Sequence, residues 1–326
     1  MSQLVGIKMK HSVFIKLISV CVVVLFAAIA LPNVGYSQSR CTPSMDADTL
    51  TTAAGFANGY FAQCKSTPDA MKLKFYKLAL CKEKPTYSDE SKCVFILNNS
   101  SGVETEIAVG VSSNLFNGDI SIPEGTYKYA MLLIDNTIAI KKTLEFDTGN
   151  EQFDGRVVGT AAGKYCWTNG KTITWGYTDN ADQPIHCGSS PEPSFSSETF
   201  YAFGGDNPCT VANKVLNEET LTTFYDIYLL SNLTTQATVD ISNCMPTKPN
   251  DGNEANYIWG VQTFKNPPTI SANTKKIDLG FQLTDGMNIS FNGTLGNCRL
   301  TALLGARGAC VQSANVMGFA FTMKAE

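Results

Sequence analysis

"IPEGTYKYAMLLIDNTIAIKKTLEF", residues 122–146, is too apolar for a surface ribbon and too broken by Lys, Asp and Asn for a plain buried strand. A two-residue turn at Asp135-Asn136 resolves the conflict. Ile134 then pairs with Thr137, Leu133 with Ile138, Met131 with Ile140, Tyr129 with Lys142 and Tyr127 with Leu144. Side chains alternate across a strand. One face therefore collects Tyr127, Tyr129, Met131, Leu133, Ile138, Ile140, Leu144 and Phe146, and the other Lys128, Lys141, Thr143 and Glu145. A slip of one residue would mix the two sets, so the pattern selects a register. Asp and Asn both tolerate the positive φ such a turn requires.

The same reasoning gives two more hairpins. "KYCWTNGKTITWGY" turns at Asn169-Gly170, pairing Trp167 with Thr172 and Cys166 with Ile173; Cys166, Ile173, Trp175 and Tyr177 share one face, Tyr165 and Trp167 the other. In "KIDLGFQLTDGMNISFN" a three-residue loop, Thr284 to Gly286 with Gly286 left-handed, pairs Leu283 with Met287, Phe281 with Ile289 and Leu279 with Phe291. Further strands are expected over 73–81, 94–97, 106–111, 223–230, 237–241, 257–264 and 316–323, although the apolar residues of 73–81 fit neither helical nor strand period cleanly. Helix signals are confined to 46–62 and 212–221. Many short strands and few, short helices indicate an all-β chain, an antiparallel β-sandwich.

The first 37 residues read as an address. Lys8, Lys10 and Lys16 precede the apolar run "LISVCVVVLFAAIAL" of residues 17–31, Pro32 breaks it, and Gly35 and Ser37 are small residues suited to cleavage. That is the pattern of a secretory signal peptide, and the run is shorter than the ~18 residues of a membrane span. The expected location is outside the cytoplasm: extracellular, cell-surface or periplasmic. Residues 38–70 form an N-terminal segment with the first helix signal, 71–187 a β-sandwich domain, 188–208 a Ser/Pro-rich linker or loop around "CGSSPEPSFSS", and 209–326 a second β domain. With no residue-level repeat between the halves, two β domains and one long sandwich both fit.

Cysteine usage agrees with export. Of eleven cysteines, Cys21 lies in the leader, leaving Cys41, Cys64, Cys81, Cys93, Cys166, Cys187, Cys209, Cys244, Cys298 and Cys310. An even set in an exported chain implies disulfides. No C-x-x-C pair suggests zinc instead. Neighbour pairing, 41 with 64, 81 with 93, 166 with 187, 209 with 244 and 298 with 310, closes local loops. Without Lys8, Lys10 and Lys16 the balance is 22 basic against 29 acidic side chains, a net −7. Such a chain lacks the clustered Lys and Arg that nucleic acid demands.

"IPEGTYKYAMLLID" resembles the Pro-x-Gly-x-Tyr lead-in to a strand in immunoglobulin-like and transthyretin-like modules of exported bacterial surface proteins. The resemblance implies an immunoglobulin-like sandwich, from a class whose members serve as adhesins, fibre subunits, glycan binders and spacers. It carries over no catalytic or binding residue.

Chemistry-bearing sets are sparse. His11 falls in the leader, so His186, beside Cys187, is the single histidine after it, and no G-x-S-x-G elbow offers a nucleophile. Asp179 with Asp182, or Asp251 with Glu254, could supply a glycosidase pair, but they sit in turn-rich loops where solvated acids are the ordinary reading. Asp251, Asn253 and Glu254 of "PNDGNEAN" could ligate calcium, yet the stretch lacks the EF-hand pattern. No cofactor is expected. Trp167, Tyr165 and Trp175 are candidate sugar-stacking rings, with core packing as the competing role, and Tyr177 and Trp259 add to the aromatic supply. Sequons occur at Asn98, Asn99, Asn232, Asn288 and Asn292. The resulting expectation is a non-enzymatic surface or extracellular protein, in adhesion or as a structural subunit, whose partner is a protein or glycan at the cell surface. A carbohydrate-binding module with exposed aromatics is the alternative, a glycoside hydrolase the third. The terminal "NVMGFAFTMKAE" either closes its own sheet or is donated to a neighbouring copy, giving self-association.

Overall fold

In the computed structural model, which describes residues 40–42, 61–109, 121–145, 165–173, 184–203, 212–216, 224–240, 245–246, 254–292 and 310–326, the chain bends at Asn136 but does not turn back. Strands are numbered β1 to β21 in chain order. The axis is β2 (Ala70–Cys81). Along one edge lies β3 (Cys93–Ala108), in register from Ala70↔Ala108 to Cys81↔Cys93. Along the other, β5 (Tyr129–Asp135) and β6 (Thr137–Lys141) follow one another, β5 opposite Phe75 to Cys81 and β6 opposite Ala70 to Lys72. The expected Asp135-Asn136 hairpin is therefore wrong, and Leu133 does not face Ile138. Because the chain continues in one direction, parity is kept across the bend: Ala130, Leu132, Ile134, Ile138 and Ile140 enter the main core, while Met131 and Leu133 enter a second cluster on the opposite face. Alternation within each half looks the same for either path; the pairing with β2 decides between them.

Asn136 sits where the sheet forks. Beyond β6 lies β10 (Ser196–Thr199), and beyond β5 lies β16 (Tyr257–Thr263). Asn136 is buried, and its side-chain Nδ2 donates to Phe200 O at 3.1 Å and Ala255 O at 2.7 Å, joining the two branches. Its backbone N–H donates to Asn256 O at 3.2 Å and its carbonyl accepts from Phe200 N at 2.9 Å. Asn136→Leu would strand both carbonyls; urea unfolding should show a loss of roughly 2–4 kcal/mol, and an unchanged midpoint would refute this role.

The sheet continues through β12 (Phe224–Asn232), which pairs with β16, β11 (Ala212–Leu216) and β13 (Thr235–Gln236), making nine strands. The helix expected over 212–221 is thus overturned in its first half, where sheet pairing overrides a weak local propensity. The other helix signal, 46–62, lies outside the described residues except for Phe61 and Ala62, which begin β1 (Phe61–Ser66). No helix occurs among the described residues. The 188–208 stretch is no simple linker, since it contains β10. Strands from either side of it, β5 and β16, pair in one sheet, so it does not separate two sheets.

The unclear period of 73–81 has a cause. The β2–β3 register shifts between Phe75 and Lys77 and again between Leu78 and Ala79. Before the shift Met71, Leu73 and Phe75 face the main core; after it Leu78 and Leu80 do, while Tyr76, Ala79 and Cys81 face the other way. A β-bulge adds one residue and exchanges the parity.

The second layer comprises smaller sheets. β1 and β20 (Cys310–Val316) flank β19 (Met287–Asn292); β18 (Ile277–Gln282) pairs with β21 (Ala320–Ala325); and β8 (Tyr165–Thr168) lies between β7 (Thr143–Glu145) and β9 (Ile185–Gly188). Two short pairs complete the fold: β4 (Gly125–Thr126) with β17 (Thr269–Ile270), and β14 (Val239–Asp240) with β15 (Met245–Pro246). Cys64, Met287, Ile289, Ala314, Val316 and Phe321 meet the inner side chains of the large sheet in one core, an antiparallel β-sandwich.

Two other hairpins change partners. Leu283, Met287 and Ile289 do point inward, but β18 pairs with β21 and β19 with β1 and β20, so the turn between them crosses from sheet to sheet. Asp285, not Gly286, takes the positive φ, 55°. Gly286 is needed for closeness instead: a Cβ there would lie 2.6 Å from Gly318 O and 2.8 Å from Leu283 O. At Asn169-Gly170 the chain does turn, with Gly170 at φ 87°, yet β8 pairs with β7 and β9 while Ile173 N donates to Ser197 O at 2.6 Å. The predicted Trp167–Thr172 and Cys166–Ile173 pairs do not form.

The C-terminal strand is seated in its own chain. Opposite Phe281 of β18, Phe321 receives both ends of one amide from the large sheet: Gln262 Nε2 donates to Phe321 O at 2.8 Å and Phe321 N donates to Gln262 Oε1 at 2.9 Å. Disulfides join Cys41 to Cys64 and Cys81 to Cys93, with Cα separations of 5.0 and 4.1 Å. Cys166 is disulfide-bonded too, and Cys187 is its register partner. The expected pairings of Cys209 with Cys244 and Cys298 with Cys310 fall outside what the described residues cover.

Candidate binding face

The two faces of the large sheet recruit different rings. Phe75, Phe264, Phe319 and Phe321 fill the inner core together with Tyr127, whereas Tyr76, Tyr87, Tyr129, Tyr228, Tyr257 and Trp259, with Phe95, gather with Met131, Leu133, Leu230 and Val261 on the outer side. A phenol buries its ring while leaving its hydroxyl wet, so this choice suits a face that is covered without being sealed.

The cover is the connection 82–92 between β2 and β3, whose ends the Cys81–Cys93 disulfide holds together. Inside it, Thr86 N donates to Asp89 O at 3.0 Å and Asp89 N to Thr86 O at 3.1 Å, while Asp89 Oδ1 accepts from Ser91 N at 3.0 Å. That turn presents Tyr87 to Tyr228 and Trp259, at ring separations of 5.4 and 6.3 Å; Tyr228 and Trp259 are 5.8 Å apart. Two ion pairs fasten it: Lys77 Nζ to Glu90 Oε2 at 2.6 Å, and Lys84 to Asp226. Glu90 also accepts from Trp259 Nε1 at 3.4 Å. The hydrogen bond to Asp226 holds the Lys84 ammonium above its ordinary range, and the phenols of Tyr129 and Tyr228 are near enough to add to this. Burial pushes the Tyr76 phenol up, and its hydroxyl donates to Asp135 Oδ2 at 3.3 Å. Chemically, the face offers ring surfaces with charge-paired carboxylates at their edge.

The rings singled out in the sequence lie apart from this cluster. Trp167 is 6% exposed, its ring 4.9 Å from that of His186, its cross-strand neighbour, so little of its surface is open to a ligand. Tyr165 is half-buried and directs its hydroxyl to Glu145 Oε1 at 3.3 Å. Trp175, Tyr177, Asp179, Asp182, Asp251 and Asn253 lie outside the described residues, and Glu254 is half-buried. Among the sequons, Asn98, Asn99 and Asn232 are exposed, whereas Asn288 is buried and accepts from Asn315 Nδ2 at 2.9 Å. No metal-sized group of His, Cys, Asp and Glu occurs among the described residues.

The outer cluster went unnoticed in the sequence because it is assembled from β2, β5, β12, β16 and the 82–92 connection. Its one local trace is the alternation of Tyr257, Trp259 and Val261.

His186 provides a pH test. Burial, then the charge of Lys171, lowers its pKa below the ordinary 6.5. The unfolded chain therefore binds the proton more readily, so stability should be full above that value and fall as the pH drops below it. Thermal midpoints between neutral and acidic pH should show this fall, and His186→Phe should reduce it. An unchanged slope in the variant would exclude His186 as its source.

No protein-family model matches the chain, and no curated protein or solved structure matches it either.

Proposed function

We propose that the chain is an exported, non-enzymatic β-sandwich protein of the cell surface or extracellular space that works by adhesion, contacting a protein or glycan there. The covalent framework carries this reading: Cys41–Cys64, Cys81–Cys93 and the bonded Cys166 require an oxidising compartment to persist. The leader-like residues 1–37 and the acidic balance agree with it. Adhesion is favoured over a polymerising structural subunit because β21 is already paired with β18, leaving strand donation without its natural donor. The Tyr127 hydroxyl, donating back to Pro123 O at 2.6 Å, supports placing the sandwich among immunoglobulin-like modules, where a tyrosine corner of this kind recurs.

Labelling of intact cells with a membrane-impermeant amine reagent tests the location. The chain should label, and its cysteines should resist alkylation until reduced. Retention inside the cell with freely alkylating thiols would refute the reading.

A further inference from the structure

Tyr87 covers part of the outer face but leaves the adjoining rings of Tyr87 and Tyr228 half-buried, a short strip with the Lys84–Asp226 pair beside it. Asp226 precedes Tyr228 by two positions on β12, so strand alternation sets the Lys84–Asp226 pair on the same face as that ring, with the Asp226 side chain 13% and the Lys84 side chain 51% exposed. The charges here cancel locally, Lys77 against Glu90 and Lys84 against Asp226. None of the large exposed aliphatic residues, Val109, Leu233 and Met317, belongs to the outer cluster. The strip therefore pairs flat amphipathic rings with a rim that can both donate and accept hydrogen bonds, and carries no net charge. A neutral sugar has the complementary form: an apolar C–H face on one side of its ring and a border of hydroxyls. Highly anionic or cationic ligands would meet no unbalanced counter-charge.

We propose that this strip binds a neutral oligosaccharide, one sugar ring stacked on Tyr228 with its hydroxyls bonded to the Asp226 carboxylate and the Lys84 ammonium. On the adhesive reading above, on which its biological role depends, the site makes a glycan the partner. Stacking orients the sugar face, and the Asp226–Lys84 pair selects hydroxyl geometry; neither requires Trp167.

The test applies the purified, oxidised chain to an array of immobilised neutral hexose and N-acetylhexosamine oligosaccharides, followed by calorimetric titration of the glycans retained. At least one glycan should bind, and Tyr228→Ala and Asp226→Asn should each weaken it by about tenfold or more. Lys72→Ala, beside Phe195 on the same sheet face, should leave the affinity unchanged. Tyr228→Ala also removes packing against Trp259, so thermal midpoints accompany the titrations; Asp226→Asn preserves side-chain volume and gives the second check. A wild-type chain that binds no glycan on the array, or binding that survives both substitutions, overturns the site. Capture of a protein ligand without any glycan bound overturns it equally. Surface labelling is read separately: a surface-labelled chain that binds no glycan sinks the site but not the adhesive reading, and a chain confined to the cytoplasm sinks that reading whatever the array returns.

Discussion

Ile140→Lys should lower the unfolding free energy by roughly 3–5 kcal/mol, whereas Lys141→Leu, one position on, should change it by less than about 1 kcal/mol. Ile140 is fully buried on the core side of β6. An ammonium there would have to leave water without a partner or force the strand out of register. Lys141 points to the other side, its Nζ 3.7 Å from Glu106 Oε1 and 4.8 Å from the centre of the Phe195 ring, so its replacement removes only partly exposed contacts. Paired urea titrations decide the matter. Equal losses at the two positions would mean that β6 does not present alternate faces to core and solvent.

The second large effect belongs to Gln262. At 2% exposure its amide stands in for a strand edge, meeting both the N–H and the C=O of Phe321. Gln262→Leu keeps the volume and removes both partners. Each unpaired backbone group costs its desolvation, so a loss of roughly 2–5 kcal/mol is expected. Hydrogen exchange at the Phe321 amide should accelerate well beyond that of the main sheet, since β21 would be left with β18 as its one strand partner among the described residues. Exchange as slow as in the parent chain would show that the amide pair does not hold the terminal strand.

These predictions separate what local pattern can reveal from what it cannot. The inward positions Ile138, Ile140, Leu283, Met287 and Ile289 follow from alternation, which depends only on strand geometry. The neighbouring disulfides Cys41–Cys64 and Cys81–Cys93 were legible for a similar reason, because short loops close readily. Strand partners were not. Turn residues at Asp135-Asn136, Asn169-Gly170 and Thr284 to Gly286 suggested three hairpins, and in each case a strand other than the expected partner supplied the edge. Asn136 shows why: the amide that suits an Asn to a tight turn also lets it bridge two diverging strands. The candidate binding face was illegible for the same cause. Tyr87, Tyr228 and Trp259 become neighbours only after β12 and β16 have paired and the 82–92 connection has folded over them.

The bridge between Cys81 and Cys93 makes the covering segment a closed ring, with Lys82, Lys84 and Lys92 exposed upon it. A trypsin-like protease in the surroundings could cut the peptide chain after Lys82 or Lys92, the bond after Lys84 being shielded by Pro85, without parting the two pieces. Such a nicked molecule would run as one band on a denaturing gel and as two once a reductant is added. On the exported reading proposed above, the ring confines such a cut to the cover and spares the continuity of the sandwich beneath.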